Sequence, residues 1–168
     1  EEFLEGAIFG LYAKNDIVNK NGEVLIAADT LIERAVTGAD GTLRFVSDLP
    51  LGQYYVKEVQ APKGYVTTEE VYEVDATSVD SSVAVLTFEA EFKNLSTKID
   101  ISKTDITGEH ELVGATLTVL DENGTVVDTW VSDGTVHRIE KLPVGNYQFY
   151  AYAETDKYYV KELVNYKE

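Results

Sequence analysis

Apolar and polar residues alternate along much of this chain, and the alternation has the period of two expected of half-buried strands. Residues Thr42-Leu43-Arg44-Phe45-Val46 alternate. So do Val83-Ala84-Val85-Leu86-Thr87-Phe88-Glu89-Ala90-Glu91-Phe92, whose second half puts Phe88, Ala90 and Phe92 on one face. Val, Ile, Thr, Tyr and Phe fill these runs, while Gly, Asn and Asp punctuate them. Thr116 to Leu120 and Thr125 to Val131 flank Asp121-Glu122-Asn123-Gly124. Asn-Gly supplies the positive φ values of a tight turn, so a β-hairpin is predicted there. Asn21-Gly22 and Asp40-Gly41 are weaker copies of the signal. One segment departs from the period: Ala27, Ala28, Leu31, Ile32, Ala35 and Val36 follow an i, i+4 rhythm. That rhythm admits a short helix, and a strand or irregular edge fits it as well.

The pattern also repeats. Leu4-Glu5-Gly6-Ala7-Ile8-Phe9-Gly10-Leu11 returns as Leu112-Val113-Gly114-Ala115-Thr116-Leu117-Thr118-Val119, an offset of 108 (114 − 6). Leu49-Pro50-Leu51-Gly52-Gln53-Tyr54 returns as Leu142-Pro143-Val144-Gly145-Asn146-Tyr147, an offset of 93 (142 − 49). The first unit therefore holds 15 extra residues between the landmarks, expected around Lys14 to Asp29. Two all-β units are predicted, 1–95 and 96–168. No Gly or Pro loosens Leu95-Ser96-Thr97, so the junction reads as short and stiff. In Leu-Pro-x-Gly-x-Tyr, Pro cannot donate to a central ladder and sits before a strand. Gly lets the backbone turn into that strand, and Tyr buries its ring with its hydroxyl at the rim.

Composition narrows the function. The 168 residues carry a formal charge of −16, divided −10 and −6 on either side of residue 96. Such acidity opposes phosphate tracking on nucleic acid and docking on anionic lipid. With 44% hydrophobic residues the chain can build a core, and no apolar run approaches the ~20 residues of a membrane span. Cysteine is absent, which removes disulfides, thiolate metal sites and Cys nucleophiles. His110 and His137 read as structural, and no metal or cofactor is expected. Asp121-Glu122-Asn123-Gly124 lacks the ligand count of a calcium loop. The chain opens without a signal peptide and in mid-pattern, and reads as a fragment.

The motifs Leu4-Glu5-Gly6-Ala7-Ile8-Phe9-Gly10-Leu11-Tyr12, Leu49-Pro50-Leu51-Gly52-Gln53-Tyr54-Tyr55-Val56-Lys57-Glu58 and Ala61-Pro62-Lys63-Gly64-Tyr65, in that order, resemble the Cna B-type (SpaA-like, prealbumin-like) domains of Gram-positive surface proteins. Unit two is similar through Ile101-Ser102-Lys103-Thr104-Asp105-Ile106-Thr107-Gly108 and the Leu142 element. The resemblance implies two consecutive Ig-like β-sandwiches in the stalk of a cell-wall-anchored adhesin or pilin. It implies an extracellular location, with neighbouring domains of the same protein as partners. Many members form an internal amide bond between a Lys on the first strand and an Asn on the last, assisted by a buried Glu. Neutralising a Lys amine at pH 7 costs about 4.6 kcal/mol from its ordinary pKa near 10.4. Burial among aromatic residues lowers that cost, and a protonated carboxylic acid can polarise the Asn and shuttle protons. The event occurs once per molecule, so it is maturation and no enzymatic turnover.

On this chain the resemblance assigns Glu58 as the assisting acid and Asn94 as the last-strand crosslink partner. Lys103 precedes Gly114 by 11 residues, and the same spacing before Gly6 falls ahead of residue 1, so unit one is expected to lack its first strand. In unit two Lys103 fits its place, but the residue matching Glu58 is Ala151. Asn165 is the candidate crosslink partner there. Without the acid, Lys103 is expected to lean inward unbonded, with Glu154 or Glu162 as ion-pair partner. Asn94-Leu95-Ser96 and Asn123-Gly124-Thr125 are formal glycosylation sequons that a bacterial surface protein is not expected to use. The tyrosine-rich stretch from Tyr147 to Tyr159 supports an alternative function. Alternation puts Tyr147, Phe149 and Ala151 on one face and Gln148, Tyr150 and Tyr152 on the other. An exposed Tyr150–Tyr152 row would suit a host protein or glycan.

Overall fold

The structure, a computed structural model, describes residues 3–78, 87–105, 107–153 and the strand backbone of 156–166. Among them every regular element is a strand, as the alternating pattern requires. The strands are β1 (Ile8–Ala13), β2 (Ile17–Val18), β3 (Val24–Ile26), β4 (Leu31–Val36), β5 (Gln53–Gln60), β6 (Tyr65–Val66), β7 (Val71–Asp75), β8 (Leu95–Ser96), β9 (Lys98–Ile101), β10 (Val113–Leu120), β11 (Val126–Asp133), β12 (His137–Glu140), β13 (Gly145–Ala153) and β14 (Asp156–Tyr166). The chain divides into two compact units, Glu1–Pro62 with Val66–Leu95, and Lys63–Tyr65 with Ser96–Glu168. Each is an Ig-like β-sandwich.

Unit one is built on an antiparallel sheet of order β4-β1-β5-β7. Phe9, Leu11 and Ala13 alternate inward from β1, and Tyr54 and Glu58 do so from β5. Leu11, Ala13, Ile17, Tyr54 and Ala76 form the core, with Ile26, Ile32, Phe45, Val56 and Val74 packed around them. The 15 extra residues fall at the small hairpin of β2 and β3, which turns Ile17 into the core. Its turn is made at Asn21-Gly22, where Gly22 has φ +82. The i, i+4 segment is a strand, β4, because its backbone completes the ladder of β1.

Two expected strands are not found among the described residues. Residues 42–46 form none, although Leu43 and Phe45 turn inward and Arg44 and Val46 outward. The Glu33 carboxylate accepts the Val46 N–H at 3.0 Å and the Ser47 N–H at 2.8 Å. Successive N–H groups of a strand point to opposite sides, so two that share one carboxylate break the ladder geometry. Of the run 83–92, residues 83–86 lie outside the described residues. Residues 87–92 form no strand, and Phe88 is exposed.

Unit two repeats the plan with a sheet of order β11-β10-β13-β14 and a second layer of β12 paired with β9. The predicted hairpin is the β10–β11 pair, turned at Asn123-Gly124 with Gly124 at φ +79. Val119, Ile139, Leu142 and Tyr147 fill the core, with Ile99, Ile101, Trp130 and Phe149 against it. His137 stacks on the Trp130 ring at 4.0 Å and bonds Asp128 at 2.8 Å, while His110 is exposed.

The Leu-Pro-x-Gly-x-Tyr element acts as a buried corner in both units. The Tyr54 hydroxyl donates to the Pro50 carbonyl, and the Tyr147 hydroxyl donates to the Pro143 carbonyl at 2.6 Å. Burial pushes both phenols above the ordinary tyrosine pKa. The hydroxyl is therefore no rim group: it closes the loop of its own motif.

Candidate functional site

Glu58 lies on β5 directly across the ladder from Phe9 of β1, and it is 4% exposed. A strand carboxylate buried this far inside a sheet is uncommon unless it is paired. Its Oε2 accepts the Thr68 backbone N–H at 2.8 Å and the Asn94 Nδ2–H at 2.6 Å. Asn94 Nδ2 also donates to the Val66 carbonyl at 3.0 Å, which fixes the amide plane. Glu58 Oε1 is buried with no hydrogen-bond partner. One oxygen thus accepts two hydrogen bonds, and the other accepts none among the described residues.

Aromatic rings wall the site. The Phe9 ring packs on Phe92 at 4.8 Å between centroids, tilted by 57°. Phe92 belongs to the same stretch that carries Asn94, and Phe9 is the ladder neighbour of Glu58. Residues 92–94 are not laddered themselves; Phe92 packs on Phe9, and Asn94 bonds Glu58 and the Val66 carbonyl. The sequence pointed to Glu58 and Asn94 through motif position. It carried no signal for the Thr68 N–H or for the Val66 carbonyl, which are backbone groups supplied by a loop.

In unit two the equivalent place is apolar. Leu117 faces Ala151 as Phe9 faces Glu58, so the structural register reproduces the sequence offsets at both residues. Lys103 lies just past β9, half-buried. Its backbone N–H donates to Glu111 Oε2 at 3.0 Å, its carbonyl accepts the Leu112 N–H at 2.7 Å, and its Nζ reaches the Thr104 carbonyl at 3.5 Å. Asn165 lies on β14 opposite Asn146. By register, β14 stands beside β13 as β7 stands beside β5, and Asn165 takes the place of Asp75. Lys103 thus follows a strand of one sheet while Asn165 belongs to the other. The side chains of Glu154, Glu162 and Asn165 lie outside the described residues.

The tyrosine face of β13 is mixed in character. Tyr150 and Tyr152 stand opposite Thr118 and Thr116, and the Tyr150 hydroxyl donates to Gln148 at 2.8 Å. Tyr147 and Phe149 turn to the core, as the alternation predicts.

The SpaA prealbumin-like fold domain matches residues 1–90 and again residues 97–166. The trypsin-resistant surface T6 protein of Streptococcus pyogenes serotype M6 is 30% identical over 154 residues, which is 92% of this chain and 22% of that protein. The chain therefore spans about a fifth of the curated relative. Among solved structures, the Bacillus anthracis TIE protein aligns with a TM-score of 0.53 at 22% identity, covering 98% of this chain and 28% of that one. A streptococcal ancillary pilin aligns with a TM-score of 0.37 at 23% identity, covering 98% of this chain and 55% of that one. The repeated motif, two sandwiches of one plan and a match to each half place the chain in the SpaA prealbumin-like fold domain family, whose domain it carries twice.

Proposed function

We propose that the chain is a stalk segment of a cell-wall-anchored surface protein, an adhesin or pilin of a Gram-positive bacterium, whose neighbours are further domains of the same protein. Its work is to hold a distal part away from the cell and to bear load. Family membership and the relative's name as a surface protein support the setting. The observation that carries the finer reading is the contact of Asn94 Nδ2 with buried Glu58 Oε2 at 2.6 Å, beside the unpartnered Oε1.

In this reading unit one matures once, without turnover. A neutral lysine amine supplied by a first strand attacks Asn94 Cγ. The new Nζ–Cγ bond forms, the Cγ–Nδ2 bond breaks, and Nδ2 leaves as ammonia. The amine loses one proton and the leaving nitrogen gains one. Glu58 is placed to carry it, since its Oε2 already touches the atom that departs. The Phe9 and Phe92 rings pack together beside the acid, and Glu58 itself is buried. Unit two, with Ala151 in place of the acid, stays unbonded. Intact mass of the denatured full-length protein tests this. Unit one should account for a deficit of one ammonia that Asn94→Ala abolishes and Lys103→Ala leaves alone. An unmodified mass, or a deficit indifferent to Asn94, overturns the crosslink.

A further inference from the structure

The outer face of the unit-one sheet carries a pair of rings that the core does not use. Tyr54 and Tyr55 are neighbours on β5, and the period of two sends Tyr54 inward and Tyr55 outward. Tyr12 points outward from β1 between the inward Leu11 and Ala13, and it stands directly across the ladder from Tyr55. Both tyrosines are half-buried. Their rings stack at 5.0 Å between centroids with 6° between planes, within the range of offset stacking.

Three neighbours hold the pair. Gly10 leaves room for the Tyr12 ring: a Cβ there would lie 2.6 Å from Tyr12 Cε2 and 3.0 Å from Leu31 Cδ1. The Lys57 ammonium stands 5.0 Å from the centre of the Tyr12 ring. The Tyr55 hydroxyl donates to Asp29 Oδ1 at 3.0 Å. Asp29 itself has φ +60, a left-handed conformation that Asp tolerates better than most residues, and its N–H donates to the Ala13 carbonyl at 2.8 Å. A backbone outlier tied to the end of β1 thus brings a carboxylate to one phenol. Burial first, and then the Asp29 hydrogen bond, raise the Tyr55 phenol above its ordinary pKa, so it keeps its proton at neutral pH.

Unit two has no such pair. Leu120 faces Gln148 where Tyr12 faces Tyr55, Thr118 stands in the place of Gly10, and Asp29 belongs to the stretch by which unit one is longer. The chain also has no Cys and no Met, so an oxidant meets no sulfur and falls on the aromatic side chains.

We propose that Tyr12 and Tyr55 are a site of oxidative modification, where hydrogen peroxide acting through a peroxidase joins the two rings by a carbon–carbon bond between β1 and β5. Each phenol gives up one electron and its O–H proton. The Tyr55 proton passes to Asp29 and on to water, and the Tyr12 proton passes to water. The radicals couple at a Cε carbon of each ring, and one Cε–Cε bond forms. The proton on each joined carbon is then returned to its phenolic oxygen, which restores both rings. The chain loses two hydrogen atoms in all, and one peroxide is reduced to two waters. The bond straps together the two central strands of the sheet, and it needs neither Asn94 nor Glu58.

The test treats the 168-residue chain, at low concentration, with a haem peroxidase and hydrogen peroxide, and reads dityrosine fluorescence and intact mass. A monomer lighter by two hydrogen atoms is expected. Its tryptic digest should join peptide 1–14, whose one tyrosine is Tyr12, to peptide 45–57 through Tyr55. Tyr12→Phe and Tyr55→Phe, which keep both rings, should each abolish the joined peptide. Asp29→Asn keeps a hydrogen-bond acceptor and suits the same backbone but takes no proton, so coupling should slow about tenfold. Chain unfolded in urea should lose the preference for this pair. Asn94→Ala should couple like wild type, which separates this bond from the amide crosslink. No joined peptide under conditions that couple free tyrosine would overturn the proposal. So would a bond mapped to Tyr54 or to unit two instead, coupling that survives Tyr12→Phe, an unslowed Asp29→Asn, or the same pairing in urea.

Discussion

The two units solve the same folding problem with the same backbone devices and then diverge inside. Gly6 and Gly114 both take φ +88, a left-handed conformation open to glycine, at the entry to β1 and β10. The next amide in each is capped by a hydroxyl at 3.0 Å, Ala7 by Thr37 and Ala115 by Ser132. Each has its tyrosine tied to a proline carbonyl four residues upstream. What differs is the filling. Unit one buries a carboxylate opposite Phe9, where unit two has Ala151 opposite Leu117. Unit two closes its second layer with β9, where residues 43–45 of unit one stand unpaired among the described residues. The lesson is that the repeat preserves the parts that set chain direction. The residue that faces the β1 or β10 aromatic or aliphatic side chain is free to change one unit at a time, Glu58 in one and Ala151 in the other.

The largest expected effect tests whether the corners are equivalent. Tyr54→Ala and Tyr147→Ala should each cost about 3–5 kcal/mol, since each removes a buried ring and leaves a cavity. Tyr→Phe at either position should cost about 1 kcal/mol for the lost hydrogen bond. Thermal unfolding of the four variants checks this, and a severe loss at only one corner would break the comparison.

The next test concerns the filling. Asn94→Ala removes one of the two donors to Glu58 Oε2, so unit one should lose about 1–3 kcal/mol, while amide exchange in unit two stays unchanged. A smaller effect is expected at Lys103, whose visible contacts are mostly through its backbone. Lys103→Ala should lower the melting temperature of unit two by a few degrees, as for about 1 kcal/mol in a domain of this size. A drop of tens of degrees, or an intact mass that rises by one ammonia on substitution, would show a bond in unit two and erase the contrast.

The smallest effect sharpens the account of residues 42–46. Burial pulls the Glu33 carboxyl upward, but hydrogen bonds from Val46 and Ser47 outweigh it and hold it below the ordinary glutamate value. A carboxyl with a lowered folded pKa adds stability that is present above its unfolded pKa of about 4.3 and lost as pH falls through the folded value. Exchange of the Val46 and Ser47 amides, read against denaturation by acid, should therefore accelerate below about pH 4. Glu33→Gln should flatten that dependence, and a profile identical in both would sink the explanation.

Much of this was legible in advance. Period two, the Asn-Gly turn and the repeat offsets located the β10–β11 hairpin, the two units and the site of the insertion. Motif position pointed to Glu58 and Asn94, which lie 2.6 Å apart, and the offset of 93 matched Ala151 to Glu58, as the strand register does. Residues 42–46 misled because alternation reports which way side chains can point and carries no information on whether a neighbouring backbone is there to pair. Asn165 is a similar case. Its rank as the last Asn of the chain suggested the place of Asn94, and only strand order shows that β14 corresponds to β7.

The sequence by itself determined the all-β class, the two-fold plan and the two corner tyrosines, because these follow from side-chain period and from residues with restricted or permissive φ. Tertiary structure alone decided that Glu58 keeps one oxygen on Thr68 and Asn94 and leaves the other unpaired, and that Glu33 holds two consecutive amides. It also decided that Arg138 has an acid across the ladder while Arg44 has none among the described residues. These are contacts between groups up to 38 positions apart. Their existence depends on which strands become neighbours, and local pattern does not encode that choice.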